Sequence, residues 1–340
     1  MVGNSQWLRM AARWIPSGAL ASFGRPVALA FHGVARSIQD PRIEVSHHSV
    51  DEFAKLARTL RTRFDVLPLG AIDDVLRRPE RNPRAVFLTC DDGYLNASTA
   101  TADILGSFNL PWSLFISTHH IDTAEPNPLL LARLFCNFAP AGCYSFPNLP
   151  VEFELKADRE DTTLTVVALL RRIEATKAQA LVAAMTSVFS EAGLQTLIER
   201  FAAERFLRWS DVATLAAYGV EVGAHAHWHW PMSAAQSPEY LQQQAKASRD
   251  AIVRHVGHCR YFAYPFGNMG DVSATAWRSV RDAGYSHAFT TISATLDGGA
   301  NPWLLPRYVL KKQEPNLTAL LPMLRAGNAR LVRWQRQLAA

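Results

Sequence analysis

The sequence contains no stretch approaching the ~18 continuous apolar residues of a membrane-spanning helix, which argues against a helical integral membrane protein. Cysteine is scarce, with only Cys90, Cys136, Cys143 and Cys259. None forms a C-x-x-C pair, so neither a cysteine-based zinc site nor a disulfide framework is expected. Cys136 and Cys143 are near enough in sequence to bridge, but four reduced thiols are the plainer reading. Neither sign of charge dominates: 35 Lys and Arg against 30 Asp and Glu leave +5, too mild a basicity to imply a nucleic-acid partner. Repeats and low-complexity tracts are also missing. What remains is a composition with 49% apolar residues, enough to bury a core and too many for a disordered chain. At roughly 150 residues per domain, the length of 340 amounts to two domains or one large α/β domain with an insertion.

The first 26 residues, MVGNSQWLRMAARWIPSGALASFGRP, lack the uninterrupted apolar core of ~7–15 residues that a secretory signal requires. The expected location is therefore the cytoplasm or the inner face of the membrane. Trp7, Leu8, Met10, Ala11 and Trp14 recur at near-helical spacing beside Arg9 and Arg13. That pattern fits a short helix packed on the domain, or an interfacial contact with an anionic membrane. Leu320, Leu321, Leu324, Leu331 and Trp334, beside Arg325, Arg330, Arg333 and Arg336, present the same choice, with a solvated amphipathic helix as the default.

Apolar runs and helical periodicities alternate along the chain. Strands are expected at 27–34, 64–67, 85–90 and 112–117, with helices at 51–63, 69–77 and 94–107 between them. Residues 122–205 lack the strand rhythm and read as a helical insertion, with a long helical stretch from 163 to 206 broken near Gly193. The alternation resumes with strands at 220–225, 260–265, 286–291 and 304–309 and helices at 210–217, 237–256 and 275–283. About seven or eight strands in β-α order predict an α/β fold, a distorted (β/α) barrel of about seven strands with a helical insertion.

Three clusters carry chemistry. Thr89-Cys90-Asp91-Asp92-Gly93-Tyr94 follows an apolar strand, where β/α barrels place their active sites. Two adjacent, unpaired, ionised carboxylates would repel, and a metal on one with a proton or water on the other relieves this. The bland alternative is a helix cap and an Asp-Gly turn. In the second cluster, three of the eleven histidines, His225, His227 and His229, fall within five residues at another strand end. In a helical turn His225 and His229 would share one side, with His227 directed elsewhere. Neutral imidazoles suit Zn, Co, Ni or Fe, and with Asp92 they would form an Asp-His-His site with open positions. A structural aromatic-histidine turn is the alternative. In the third cluster, Arg260 to Asn268, Tyr264 and Phe266 could wall a groove. The neighbouring pairs His47-His48 and His119-His120 project in different directions and are weak metal signals.

In this order, TCDDGY, H-x-x-x-H at 225–229 and FAYPFGN at 262–268 resemble the polysaccharide deacetylase family, the NodB-homology domain of carbohydrate esterase family 4. The resemblance covers residues 27–120 and 207–310. It implies Asp91 as catalytic base, and Asp92, His225 and His229 as ligands of one divalent metal, zinc first with Co, Ni, Mn or Fe as alternatives. It further implies the backbone N–H of Tyr94 as an oxyanion donor, and Tyr264, Phe266 and Arg307 as neighbours of the base or substrate. Two departures stand out. The family often draws its general acid from a C-terminal L-x-H motif, but the last histidine here is His287. Leu29-Ala30-Phe31-His32 resembles permuted members whose equivalent strand precedes the Asp-Asp motif, so His32 is the expected acid. Ala263 stands where the family has the arginine that orients the base. Arg307 is the candidate substitute, and Arg260 does not inherit the role.

These readings divide the chain into a basic amphipathic segment at 1–26, a deacetylase barrel at 27–121 and 206–312, a helical insertion at 122–205 and a basic helix at 313–340. The expected activity is metal-dependent removal of acetyl groups from N-acetylated amino sugars of a polysaccharide or glycan precursor. The alternatives are O-deacetylation and a non-catalytic carbohydrate-binding protein on the same barrel. The expected partner is an N-acetylated carbohydrate, with peripheral membrane contact left open.

Overall fold

The apolar runs at 27–31, 85–90 and 113–116 are buried at every position, as strands of a parallel sheet covered on both faces must be. The computed structural model describes residues 24–146, 152–156, 159–312 and 317–339, so the aromatic stripe from Trp7 to Trp14 lies outside the described residues. The strands are β1 Val27–Phe31, β2 Gly33–Ala35, β3 His47–Ser49, β4 Asp65–Val66, β5 Ala85–Cys90, β6 Ser113–Ile116, β7 Gly142–Ser145, β8 Glu152–Leu155, β9 Glu221–Ala224, β10 Tyr261–Ala263, β11 His287–Phe289 and β12 Tyr308–Val309. The helices are α1 Val50–Arg63, α2 Ile72–Arg77, α3 Ala100–Ser107, α4 Thr118–Thr123, α5 Pro128–Phe138, α6 Glu160–Leu170, α7 Ala175–Thr186, α8 Glu191–Arg200, α9 Trp209–Ala217, α10 Pro238–Val256, α11 Ala274–Asp282 and α12 Leu321–Ala339.

The main sheet runs β11-β10-β9-β6-β5-β1-β12, parallel throughout, with β4 added at the start of β5. Leu305 forms a parallel bridge to Phe289 at one edge, and Tyr308 and Val309 pair with Leu29 and Ala30 at the other. The segment 305–309 therefore touches both edges and curls the sheet into a barrel.

Side chains alternate along each strand, as a period of two requires. Leu29, Leu88 and Phe262 join the core beneath α1, α10 and α11, whereas Ala28, Phe87, Phe115, Tyr261 and Phe289 share a second cluster inside the barrel. Gly223 makes room there, since a Cβ on it would lie 2.5 Å from Phe115 Cε1. The helix α1 starts where its sequence dictates. Ser49 caps it and exchanges hydrogen bonds with Glu52, a complete capping box.

The structure departs from the sequence expectations in three places. The strand expected at 27–34 splits, and β2 pairs with β3 in a separate two-stranded sheet. The insertion is not wholly helical, because β7 and β8 form an antiparallel hairpin. Its helices α6, α7 and α8 break at 171–174 and 187–190 rather than at Gly193. Gly193 instead donates its N–H to the cap Ser190, inside the first turn of α8. Leu129, Phe135, Val166, Leu181 and Met185 form the insertion's own core, into which Trp230 of the barrel is fitted.

The described part of the C-terminal apolar stripe is buried rather than solvated. Leu324, Leu331 and Trp334 are buried in the barrel core, while Arg325, Arg330, Arg333 and Arg336 face outward. Gln335 donates to the carbonyl of Leu304, and Asn328 pairs with Thr295. Gly327 permits the approach, since a Cβ on it would lie 1.7 Å from the Ser293 carbonyl oxygen. All four cysteines are free, so Cys136 and Cys143 form no bridge.

Candidate metal centre and catalytic cleft

The pleat of β5 aims Asp91 at the barrel mouth, in line with Phe87 and Thr89 four and two residues earlier. Asp92 would then point to the helix side, but its backbone turns over. Asp92 has φ 75° and Gly93 φ 91°, and this left-handed pair brings the second carboxylate into the mouth as well. A non-glycine residue held at positive φ costs energy and is found where surrounding contacts enforce it. The Asp91 N–H donates to Phe31, Ser117 donates to the Asp92 carbonyl, and Leu207 donates to that of Gly93.

The histidine turn converges on Asp92 without being helical. Ala226 and His229 have φ of 59° and 54°, so two left-handed residues, not the 3.6-residue period, bring His225 and His229 together. Their Nε2 atoms lie 3.3 and 3.0 Å from Asp92 Oδ1. His225 Nδ1 is 2.8 Å from the carbonyl of Ala263. A carbonyl only accepts, so this nitrogen carries the proton and Nε2 keeps its lone pair.

All three residues are buried, and one ligand atom from each lies within 4.8 Å of the others. Asp92 Oδ1 is buried and has no hydrogen-bond partner among the described residues. An orphaned carboxylate oxygen facing two imidazole nitrogens fits a divalent cation. Burial pushes the His229 imidazolium down. It would push Asp92 up, but the neighbouring imidazoles of His229 and His32 hold that carboxyl well below its ordinary value. Neutral imidazole and ionised carboxylate are the forms a metal needs.

Arg307 is fully buried and grips Asp91 with two parallel bonds, Nη1 to Oδ1 at 2.7 Å and Nη2 to Oδ2 at 2.8 Å. Nη1 also reaches Thr89 Oγ1, Nε donates to the Thr290 carbonyl, and the guanidinium lies against the rings of Phe115 and Phe289. Burial would raise the Asp91 carboxyl, but the charges of Arg307 and His225 outweigh it and hold the carboxyl below its usual range. Arg307 is thus consumed by Asp91 and its neighbours and does not reach out to substrate. Arg260 sits elsewhere, 3.7 Å from Asp73 and over the Tyr261 ring.

The remaining expected residues divide. His32, Tyr94 and Phe266 line the cleft. Tyr94 pairs with Phe206 in an antiparallel bridge whose hydrogen bonds belong to its neighbours Gly93 and Leu95. Its own N–H therefore points out of the ladder. Tyr264 does not line the cleft: it is fully buried, and its hydroxyl donates to the Trp303 carbonyl. It follows the inward Ala263, and the pleat turns it under the helices. Cys90 does more than fill space, because its thiol donates to the His32 carbonyl at 2.7 Å.

The paired histidines lie off the metal set. His47 bonds the Ala203 carbonyl and faces Glu204. His119 stacks on Trp228, and His120 on Phe206. His227 Nδ1 is 2.8 Å from Thr118 Oγ1.

Asn127 is a site residue the sequence reading missed. Its Oδ1 accepts from Leu129 N–H and caps α5, while its Nδ2 lies 3.3 Å from His229 Nδ1. The Asn-Pro pair marks a helix start, but nothing in it reveals that the cap touches a histidine 102 residues away. The whole cleft measures about 620 Å³, and Asn127, Leu129, Arg133, Val167 and Arg171 bring the insertion to its wall.

The sequence matches the polysaccharide deacetylase family over residues 155–288, a span that includes the histidine turn and the 262–268 turn; the Asp91–Asp92 pair precedes it. No curated protein matches the sequence. Three solved structures share the fold. A deacetylase of Streptococcus pyogenes, PplD, has TM-score 0.55 and 13% identity, covering 88% of this chain and 96% of that one. IcaB from Ammonifex degensii has TM-score 0.54 and 17% identity, covering 87% and 97%. A de-N-acetylase of Aggregatibacter actinomycetemcomitans has TM-score 0.53 and 16% identity, covering 88% and 100%. With three motif turns set in their expected order at the mouth of this barrel, residues 155–288 match the polysaccharide deacetylase family, and the fold is the one those deacetylase structures share.

Proposed function

We propose that the protein removes acetyl groups from N-acetylated amino sugars of a glycan or glycan precursor, using one divalent metal. The observation that carries this reading is the buried meeting of Asp92, His225 and His229 beside an Asp91 gripped by Arg307. A divalent cation in the Asp92–His225–His229 set supplies Lewis acidity toward the acetamide carbonyl and an attacking water. Zinc is the proposed occupant, and Co, Ni, Mn and Fe share its taste for this donor set.

The protein's own groups do the rest. Arg307 keeps Asp91 ionised and fixes its plane, so that Asp91 takes the proton as the water oxygen bonds to the carbonyl carbon. The Tyr94 N–H donates to the oxyanion that forms. His32, half-buried at the cleft, gives a proton to the sugar nitrogen as the carbon–nitrogen bond breaks. Acetate and a free amine leave.

The test is acetate release from a panel of N-acetylated oligosaccharides and lipid- or nucleotide-linked sugars by the metal-loaded protein. Asp91→Asn and His225→Ala should each abolish it. Folded, metal-loaded protein that releases no acetate from any member, or release that survives both substitutions, would refute the proposal.

A further inference from the structure

Arginines that this chemistry does not use also line the catalytic cleft. Its only lining acids among the described residues are Asp91 and Asp92, one neutralised by Arg307 and the other committed to the metal donor set. Facing them are Arg133 and Arg171. Arg133 lies on α5 and Arg171 caps the end of α6, so both come from the insertion rather than the barrel.

Arg171 is held in place before any ligand arrives. Its Nη2 pairs with the buried Asp271 at 2.7 Å, and its guanidinium lies 4.5 Å above the ring of Phe266. That ring is 5.3 Å from the ring of His229, so Arg171 stands one aromatic layer from the metal set. Its Nε is buried without a hydrogen-bond partner among the described residues. A planar guanidinium fixed this way loses little freedom on binding. Arg133 is half-buried and meets the Ile43 carbonyl at 3.4 Å. No carboxylate among the described residues lies within ion-pair distance of it. The buried Glu204 feels its charge but forms no ion pair with it, and a guanidinium partly withdrawn from water in this way carries a desolvation cost that a bound anion offsets.

We infer, resting on the deacetylase reading above, that the substrate is an anionic amino sugar. A carboxylate or phosphate on or beside the reacting unit is received by Arg133 and Arg171. The insertion then selects substrate by charge, while the barrel supplies the chemistry.

The test is equilibrium binding of deacetylated sugars, which cannot turn over, to the full chain with its metal. The probes are glucosamine, glucosamine 1-phosphate and a glucosamine–glucuronate disaccharide. The phosphate or the carboxylate probe should bind at least about tenfold more tightly than glucosamine, and the stronger of the two names the anion. Arg133→Gln and Arg171→Gln should each cut that preference to about two- to threefold, with Arg133→Lys and Arg171→Lys retaining more of it. Circular dichroism checks that each variant is folded. Anionic probes that bind no better than glucosamine overturn the inference, as does a preference that survives both Gln variants, which would assign the anion to the metal. Neither result bears on acetate release, which tests the deacetylase reading through Asp91 and His225.

Discussion

Arg307 and Asp91 lie 216 positions apart in the chain and meet side by side in a space closed to solvent, joined by hydrogen bonds of 2.7 and 2.8 Å. The pair stands at the floor of the cleft, where a carboxylate must stay ionised and hold one orientation. Removing the guanidinium leaves a buried charge without its partner. Arg307→Ala should therefore lower stability by roughly 3–5 kcal/mol. In whatever protein folds, it should cut kcat by about 100-fold or more. Urea unfolding and acetate release measure the two effects separately.

Asn127 joins a helix cap to His229, a proposed metal ligand, and two substitutions separate these roles. Asn127→Ala should cost about 1 kcal/mol through the lost cap and weaken metal binding by about 10–100-fold. Asn127→Ser keeps a capping oxygen but is too short to reach His229. It should restore most of the stability and little of the metal affinity. Metal titration beside thermal unfolding reads both.

Glu204 gives the stability a pH dependence. It is buried, with side-chain oxygens that have no hydrogen-bond partner among the described residues, and burial pushes its carboxyl up to about 7. A folded value above the unfolded one means the stabilising proton is fully in place below the unfolded value near 4.5 and is lost as pH rises through about 7. Glu204→Gln should therefore match wild type near pH ~5 and exceed it by on the order of 2 kcal/mol above pH ~8. Thermal unfolding across that range checks it; a constant difference at all pH values would show that Glu204 does not titrate there.

Gly327 lies inside α12, where propensity favours alanine by about 1 kcal/mol. The approach to Ser293 reverses the sign, because a Cβ would lie 1.7 Å from that carbonyl. Gly327→Ala should lower the melting temperature, whereas alanine at the exposed Gln337 of the same helix should leave it unchanged or slightly raised. Differential scanning calorimetry distinguishes these outcomes.

The barrel was legible because burial on both faces leaves nearly continuous apolar runs such as AVFLTC, and helices between them repeat near four residues. The hairpin β7–β8 was not. Its strands are short, one is mostly exposed, and Pro147 and Pro150 between them read as loop. The metal set could be named from motif spacing, but not how it assembles. A helical turn was the natural reading of H-x-x-x-H, and only the left-handed backbones of Ala226 and His229 show otherwise. Tyr264 looked like a groove residue because it sits in the motif turn, yet strand parity after Ala263 turns it away from the barrel interior and buries it under the helices. Asn127 and Arg171 left no local signal, since each acts on residues about a hundred positions away.

The segment that closes the barrel also carries the arginine that completes the site. Residues 305–309 join the β11 edge to the β1 edge, and Arg307 projects from their middle into the barrel. Synthesis delivers Asp91, Asp92, His225 and His229 well before this segment, so a nascent chain owns most of the proposed site while its sheet is still open. Asp91 then lacks its counter-ion. On the proposed function, competence arrives with ring closure, and acetate release from a refolding chain should report when the first strand meets the last.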